Sequence, residues 1–207
     1  MEAQSKFSRW LGSVLAPSRS LPTPGRAVER PQPAVAILRH GTLGFTCFST
    51  MGGFVGSTTA ASGMVEGDLR NARGWVEAPV ATLSTRSRLR DRDMRAALEV
   101  DRYPTMRFDL ARVDVLLDIE TDDASVAVEL HGRFSIHGVT RVVALPAIVS
   151  FDDESIHLIS AFPLDVEEYR IGGLTRLYGL LRMQKQIELR LDLLFTRLNG
   201  NGPILIE

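Results

Sequence analysis

The stretch SVAVELHGRFSIHG, Ser125 to Gly138, decides the fold. Val126, Val128, Leu130, Phe134 and Ile136 share one side of an extended chain, and Glu129, His131, Arg133, Ser135 and His137 share the other. Antiparallel strands alternate in this way when one face meets a core and the other meets water. The polar turn His137-Gly138-Val139-Thr140 then sends the chain back.

Upstream, Val113, Val115, Leu117 and Ile119 alternate with Arg112, Asp114 and Asp118. Met106, Phe108 and Leu110 use even positions, whereas Val113 onward uses odd ones. Such a parity change within one strand predicts a bulge near Ala111–Arg112. Downstream, Ile187, Leu189, Leu191, Leu193 and Phe195 alternate with Glu188, Arg190, Asp192 and Thr196. Further strands are expected at 34–39, 42–48, 59–68, 75–84, 141–151 and 155–166, with a polar turn at Asp152–Ser155. Two helical patches interrupt them. One spans 91–100, with Asp91 as N-cap and Met94, Ala97 and Leu98 facing inward; the other spans 174–183. Strands this numerous, long and one-sidedly apolar predict a mainly β, closed antiparallel barrel with one or two short helices, since closure removes exposed edges. An eight-stranded barrel is either filled by its own side chains or holds one small ligand, and periodicity does not choose between them.

The 207 residues suit one domain plus a tail. A formal net charge of −1 gives no global field toward nucleic acid or an anionic membrane. The aromatics are strand-interior by parity and not interleaved with arginines, so no stacking platform for nucleic acid is expected. A single cysteine, Cys47, excludes an intrachain disulfide and a cysteine metal cluster. No apolar run reaches the roughly 18 residues of a spanning helix. Residues 10–16 form only a short apolar stretch without a small-x-small cleavage site before the prolines, so a cytoplasmic protein is expected, with the periplasm left open.

Half of the ten prolines (Pro17, Pro22, Pro24, Pro31 and Pro33) fall within residues 1–33, which read as a flexible linker before a domain at 34–207. Ahead of them Phe7, Trp10, Leu11, Val14 and Leu15 share a helical face flanked by Lys6 and Arg9. This segment is either a tail that is disordered or docks on protein, or an interfacial helix making peripheral membrane contact through residues 6–15. A homodimer is kept open.

No catalytic residues are assigned. Asp152, Asp153 and Glu154 sit in a turn, and Glu167 and Glu168 at a strand end, without an acid–base motif. MGGFVG, residues 51–56, lacks the lysine of a phosphate loop. His131 and His137 share a face but are too far apart to hold one metal alone, so His40, His131, His137 and His157 are read as structural and no metal is assigned.

Two segments carry a resemblance. Thr85, Arg90-Asp91, Met94, Tyr103-Pro104 and Phe108 follow one another in the order of a recurrent motif, and GRFSIHGVTRVVAL, residues 132–145, matches a second. Together they resemble the YceI family of bacterial lipocalin-like barrels, over about residues 35–198. Phe54-Val55-Gly56 and Glu168-Tyr169-Arg170-Ile171 stand where that family has similar segments. Asp93 replaces the histidine often found after Arg-Asp, and the link to Tyr-Pro is shorter.

The resemblance implies an eight-stranded lipocalin-like barrel that binds a hydrophobic small molecule, polyisoprenoid, quinone-like or fatty-acyl, without catalysis, for storage, transport or stress protection. No cofactor is implied beyond such a lipid. Phe45, Phe108, Leu110, Val115, Leu117, Val128, Leu130, Phe134, Ile136, Leu158, Leu189 and Leu191 would then line the interior. Five arginines between residues 86 and 95 outnumber Asp91 and Asp93, and Arg86, Arg88 and Arg90 are the candidate headgroup residues at the barrel mouth. Against that stands a solvated helix face in which Arg90-Asp91 is structural. The alternative function is a packed barrel that serves as a protein- or membrane-interaction module through its N-terminal segment.

Overall fold

A computed structural model describes residues 34–50, 52–118, 125–172, 175–176, 181–182 and 184–198. The amphipathic segment and linker expected within residues 1–33 lie outside them. The long strands are β1 (Ala34–Ser49), β2 (Gly52–Thr58), β3 (Ser62–Gly67), β4 (Arg73–Pro79), β5 (Thr105–Asp118), β6 (Ser125–Ile136), β7 (Val139–Phe151) and β8 (Ser155–Asp165). A short pair, β9 (Thr175–Arg176) and β10 (Leu181–Arg182), precedes β11 (Gln186–Leu198), and one helix, α1 (Arg88–Ala97), lies between β4 and β5.

Neighbours pair antiparallel in the order β3-β4-β5-β6-β7-β8-β11, and β1 joins β11 to β3. This closes an eight-stranded barrel. β2 and β3 lie on the same side of β1, β2 along residues 43–49 and β3 along residues 34–37, so together they act as one broken strand. The segment expected at 59–68 is therefore shorter than its periodicity suggests, and β2 is a strand that its glycines concealed. Gly52, Gly53 and Gly56 dilute the apolar alternation there.

The parity change in β5 is a bulge at Ala111, since pairing with β6 slips between Leu110 and Arg112. The freed Ala111 carbonyl accepts from Arg73 Nη1 at 2.6 Å, so the bulge leaves no lost hydrogen bond at that oxygen. A second slip, between Val115 and Leu117, turns Leu116 out to 52% exposure. A third falls between Leu38 and His40 in β1.

β6 and β7 join at His137-Gly138, where both residues take positive φ (52° and 71°), the conformation of a tight primed hairpin turn. A Cβ at residue 138 would come 2.4 Å from Tyr103 Cε1, so glycine is needed for space as well as for conformation. His137 Nδ1 lies 3.0 Å from the Tyr169 carbonyl, which can only accept; Nδ1 therefore carries the proton. Tyr103 packs edge-on to the His137 ring at 5.0 Å.

α1 begins three residues earlier than its apolar pattern suggests, and Asp91 is not its N-cap. Ser87 holds that position without a side-chain cap bond. The Asp91 carboxylate instead reaches back to accept from Thr85 N (2.7 Å), Thr85 Oγ1 (2.7 Å) and Ser84 Oγ (2.9 Å), tying the first turn to the segment before it. These bonds, the Thr85 hydroxyl foremost, hold the Asp91 carboxyl below the usual range. Glu99 at positive φ ends the helical segment, and its carbonyl accepts from Arg102 N and Tyr103 N. The helix expected at 174–183 is a correction. Thr175–Arg176 pairs antiparallel with Leu181–Arg182, so the described part of that segment is extended rather than helical. The remainder of that segment lies outside the described residues.

Candidate functional site

The inward faces of the strands do not fill the barrel. They surround a cavity of about 300 Å³, at the lower end of the size range of small-molecule sites. Phe45, Phe108, Leu110, Leu130, Phe134, Ile136, Leu158, Leu189 and Leu191, all placed inside by the family resemblance, lie on its wall. Val128 is fully buried in the surrounding core and Val115 packs against that core, but neither reaches the wall. The side chain of Leu117 lies outside the described set.

One end of the cavity is roofed by α1, through Met94 and Ala97, and by the buried Leu98 that follows it. This helix end also carries the β1–β2 and β6–β7 turns. The far end is formed by the β3–β4 turn, the β7–β8 turn and the close of β11, and contributes Asp68, Leu69, Ala72, Phe151 and Arg197 to the wall. Cys47 and Phe54 complete the side formed by β1 and β2, with Phe54 edge-on to Phe45 at 6.2 Å. Burial pushes the Cys47 thiol up, which makes it a poor nucleophile at neutral pH.

The candidate headgroup arginines stand elsewhere. Arg86, Arg88 and Arg90 are exposed and none is on the cavity wall. Arg90 is engaged locally. Its Nη2 donates to Thr85 O at 3.4 Å and its guanidinium lies 5.1 Å from the Phe54 ring centre. The Arg90-Asp91 pair thus fastens the start of α1, Arg90 from outside the barrel and Asp91 through the preceding loop.

Four charged residues do line the cavity: Asp68, Asp93, Arg107 and Arg197. Asp68 accepts from Arg70 N, Asn71 N and Asn71 Nδ2, and the Asn71 amide above all lowers its pKa. Asp93 pairs with Arg92 at 3.3 Å. Arg107 bonds Glu77 and Asp109, each at 2.8 Å, and stacks 4.6 Å from the Trp75 ring centre. Arg197 is the residue that sequence reasoning missed, although continuing the odd-numbered alternation of β11 past Phe195 points to it. None of these groups forms a nucleophile–base pair.

On the outer wall Asp114, Glu129 and His131 each place a potential ligand atom within 4.8 Å of the others. His131 Nε2 lies 3.0 Å from both carboxylates, and Arg112 holds Asp114 at 2.9 Å. The group sits on the solvent side of β5 and β6, away from the cavity.

The family model of the YceI-like domain matches residues 36–195. No curated protein matches the sequence. Among solved structures, a polyisoprenoid binding domain from Saccharophagus degradans is 13% identical, with a TM-score of 0.64 over 81% of this chain and 100% of that one. BcnA of Burkholderia cenocepacia is 11% identical, with a TM-score of 0.63 over 74% of this chain and 95% of that one. A YceI protein of Campylobacter jejuni is 15% identical, with a TM-score of 0.55 over 70% and 85%. At such identities these structures testify to the shared fold.

Proposed function

Because this chain belongs to the YceI-like domain family, we propose that its barrel holds one long-chain hydrophobic molecule, polyisoprenoid, quinone-like or fatty-acyl, and releases it unchanged. The observation that carries this reading is the cavity, closed round by strands, roofed by α1 and walled almost wholly by apolar side chains. Such a wall asks only that the guest be apolar, since each methylene withdrawn from water contributes about 0.8 kcal/mol without any directional contact. The modest volume favours a single slender chain. The polyisoprenoid-binding domain of similar fold supports the same class of guest. Storage, transport and protection against stress all follow from shielding a chain from water.

Native mass spectrometry of the protein as purified, followed by organic extraction, tests the proposal. A long-chain lipid released in near-stoichiometric amount is the expected result. A protein that is empty, and that takes up neither prenyl nor acyl chains on titration, overturns it.

A further inference from the structure

We propose that Arg197 anchors the carboxylate head of a single-chain lipid at the far end of the barrel, with the tail running toward α1. This rests on the reading of the cavity as a lipid site.

Leu191 lies on the cavity wall, and Leu193 and Phe195, exposed by only 2% and 4%, continue the same face. Arg197 is next in that alternation and also lies on the wall. Its partner across the ladder is Ala36, which is fully buried and too small to fill the space beside a guanidinium. Arg197 Nε is shut off from solvent and has no hydrogen-bond partner among the described residues. An arginine remains charged at any physiological pH, so an unbonded buried N–H on it is a standing cost. An acceptor supplied by a guest would remove that cost.

The carboxylates on the wall, and Asp152 beside it, are committed elsewhere. Asp152 feels the charge of Arg197, but its carboxylate accepts from Glu154 N at 2.8 Å, Ser155 N at 2.6 Å and Ser155 Oγ at 2.6 Å. Asp68, Asp93 and Arg107 have the partners described above. Arg197 is therefore the one wall cation without a carboxylate partner among the described residues.

The geometry selects the head. The Nε–H and one Nη–H of a guanidinium form a fork that matches the two oxygens of a carboxylate. One arginine balances one negative charge; a diphosphate would bring further charge into an apolar chamber with nothing to meet it. Arg197 lies just beyond the family-matched segment, which ends at residue 195.

The test uses the full chain, stripped of lipid, titrated with hexadecanoate and with hexadecan-1-ol at neutral pH. Hexadecanoate should bind about ten-fold or more tightly, the usual margin for a charge-assisted hydrogen bond. Arg197→Gln should abolish that preference and leave the alcohol within about two-fold, and Arg197→Lys should retain part of it. Arg88→Ala should change neither ligand. Equal affinities in the wild type overturn the assignment without any variant, as does a preference that survives Arg197→Gln or vanishes in Arg88→Ala. If neither compound binds, the role of Arg197 fails with the fatty-acyl reading, and the parent proposal fails too if prenyl chains are also refused. If both bind equally, only the role of Arg197 fails.

Discussion

The two ends of the barrel handle arginine in opposite ways. At the helix end five arginines crowd residues 86–95, and none of the five lines the cavity. Those with described contacts serve the helix and its flanks: Arg90 meets Thr85 and Phe54, and Arg92 meets Asp93. At the far end a single arginine points inward with its Nε unbonded. Density of charge is thus a poor guide to a binding site. What matters is which side of the wall the charge occupies and whether its hydrogen-bonding capacity is already spent.

The largest test of this contrast places a charge midway between the ends. Phe134 is buried, lines the cavity and packs edge-on to Tyr169 at 5.6 Å. Phe134→Asp should cost about 4 kcal/mol or more and leave little folded protein, as urea unfolding would show. If the variant stays folded and loaded, the wall tolerates charge anywhere and Arg197 loses its distinction.

Gly138→Val attacks the helix end by forcing a branched side chain into Tyr103 at positive φ. A loss of about 2–3 kcal/mol is expected by the same measurement. A neutral outcome would mean that the β6–β7 turn and the segment after α1 are not locked together.

Leu191→Trp fills the middle of the cavity while keeping its apolar character. It should cost about 1–3 kcal/mol in stability yet lower chain affinity at least about ten-fold, whichever end holds the head. Unchanged affinity would place the chain outside the barrel.

Acid should affect both ends by the same route. Asp91 at the helix end, and Asp68 and Asp152 at the far end, are each held below the ordinary carboxyl range, chiefly by the Thr85 hydroxyl, the Asn71 amide and the Ser155 hydroxyl respectively. Since these folded-state values are depressed, their contribution is complete above the ordinary aspartate value of about 4 and is lost as pH falls through the lowered folded values. Melting temperature should therefore be level near neutrality and fall on the acid side, and Asp91→Asn should flatten part of that fall. The smallest effect is expected from Arg88→Ala, within about 0.5 kcal/mol of wild type in urea unfolding.

Much of the barrel was legible because alternation is a direct trace of which side a residue faces. The even-to-odd change across Leu110 and Val113 even located a bulge to within a residue or two. The signal failed where side chains were missing or small, as at the glycines of β2, and where a short apolar cluster imitated helical spacing, as after Gly172. The slip at Leu116 left no mark, since Leu116 and Leu117 are both apolar and either could have faced in. Nine of the twelve residues that the family resemblance places inside lie on the cavity wall. That the barrel is hollow was not legible, because empty volume depends on how opposed walls are spaced and no single strand records it. Arg197 was legible in parity, but a terminal arginine is ordinarily read as solvated.

The pairing of β1 with β11 has a consequence for how the protein is made. Among the described strands, the first to emerge from the ribosome shares its longest ladder with the last. Until synthesis reaches Leu198, the backbone of β1 from Val35 to Thr46 presents N–H and C=O groups that only β11 will bond, and β8 waits in the same way on its outer edge. Joining such distant segments is slow, and unpaired edges invite neighbouring chains. Crowded synthesis is therefore the stage at which aggregation competes most strongly with closure, and a holdase that covers β1 should raise the yield of closed barrels.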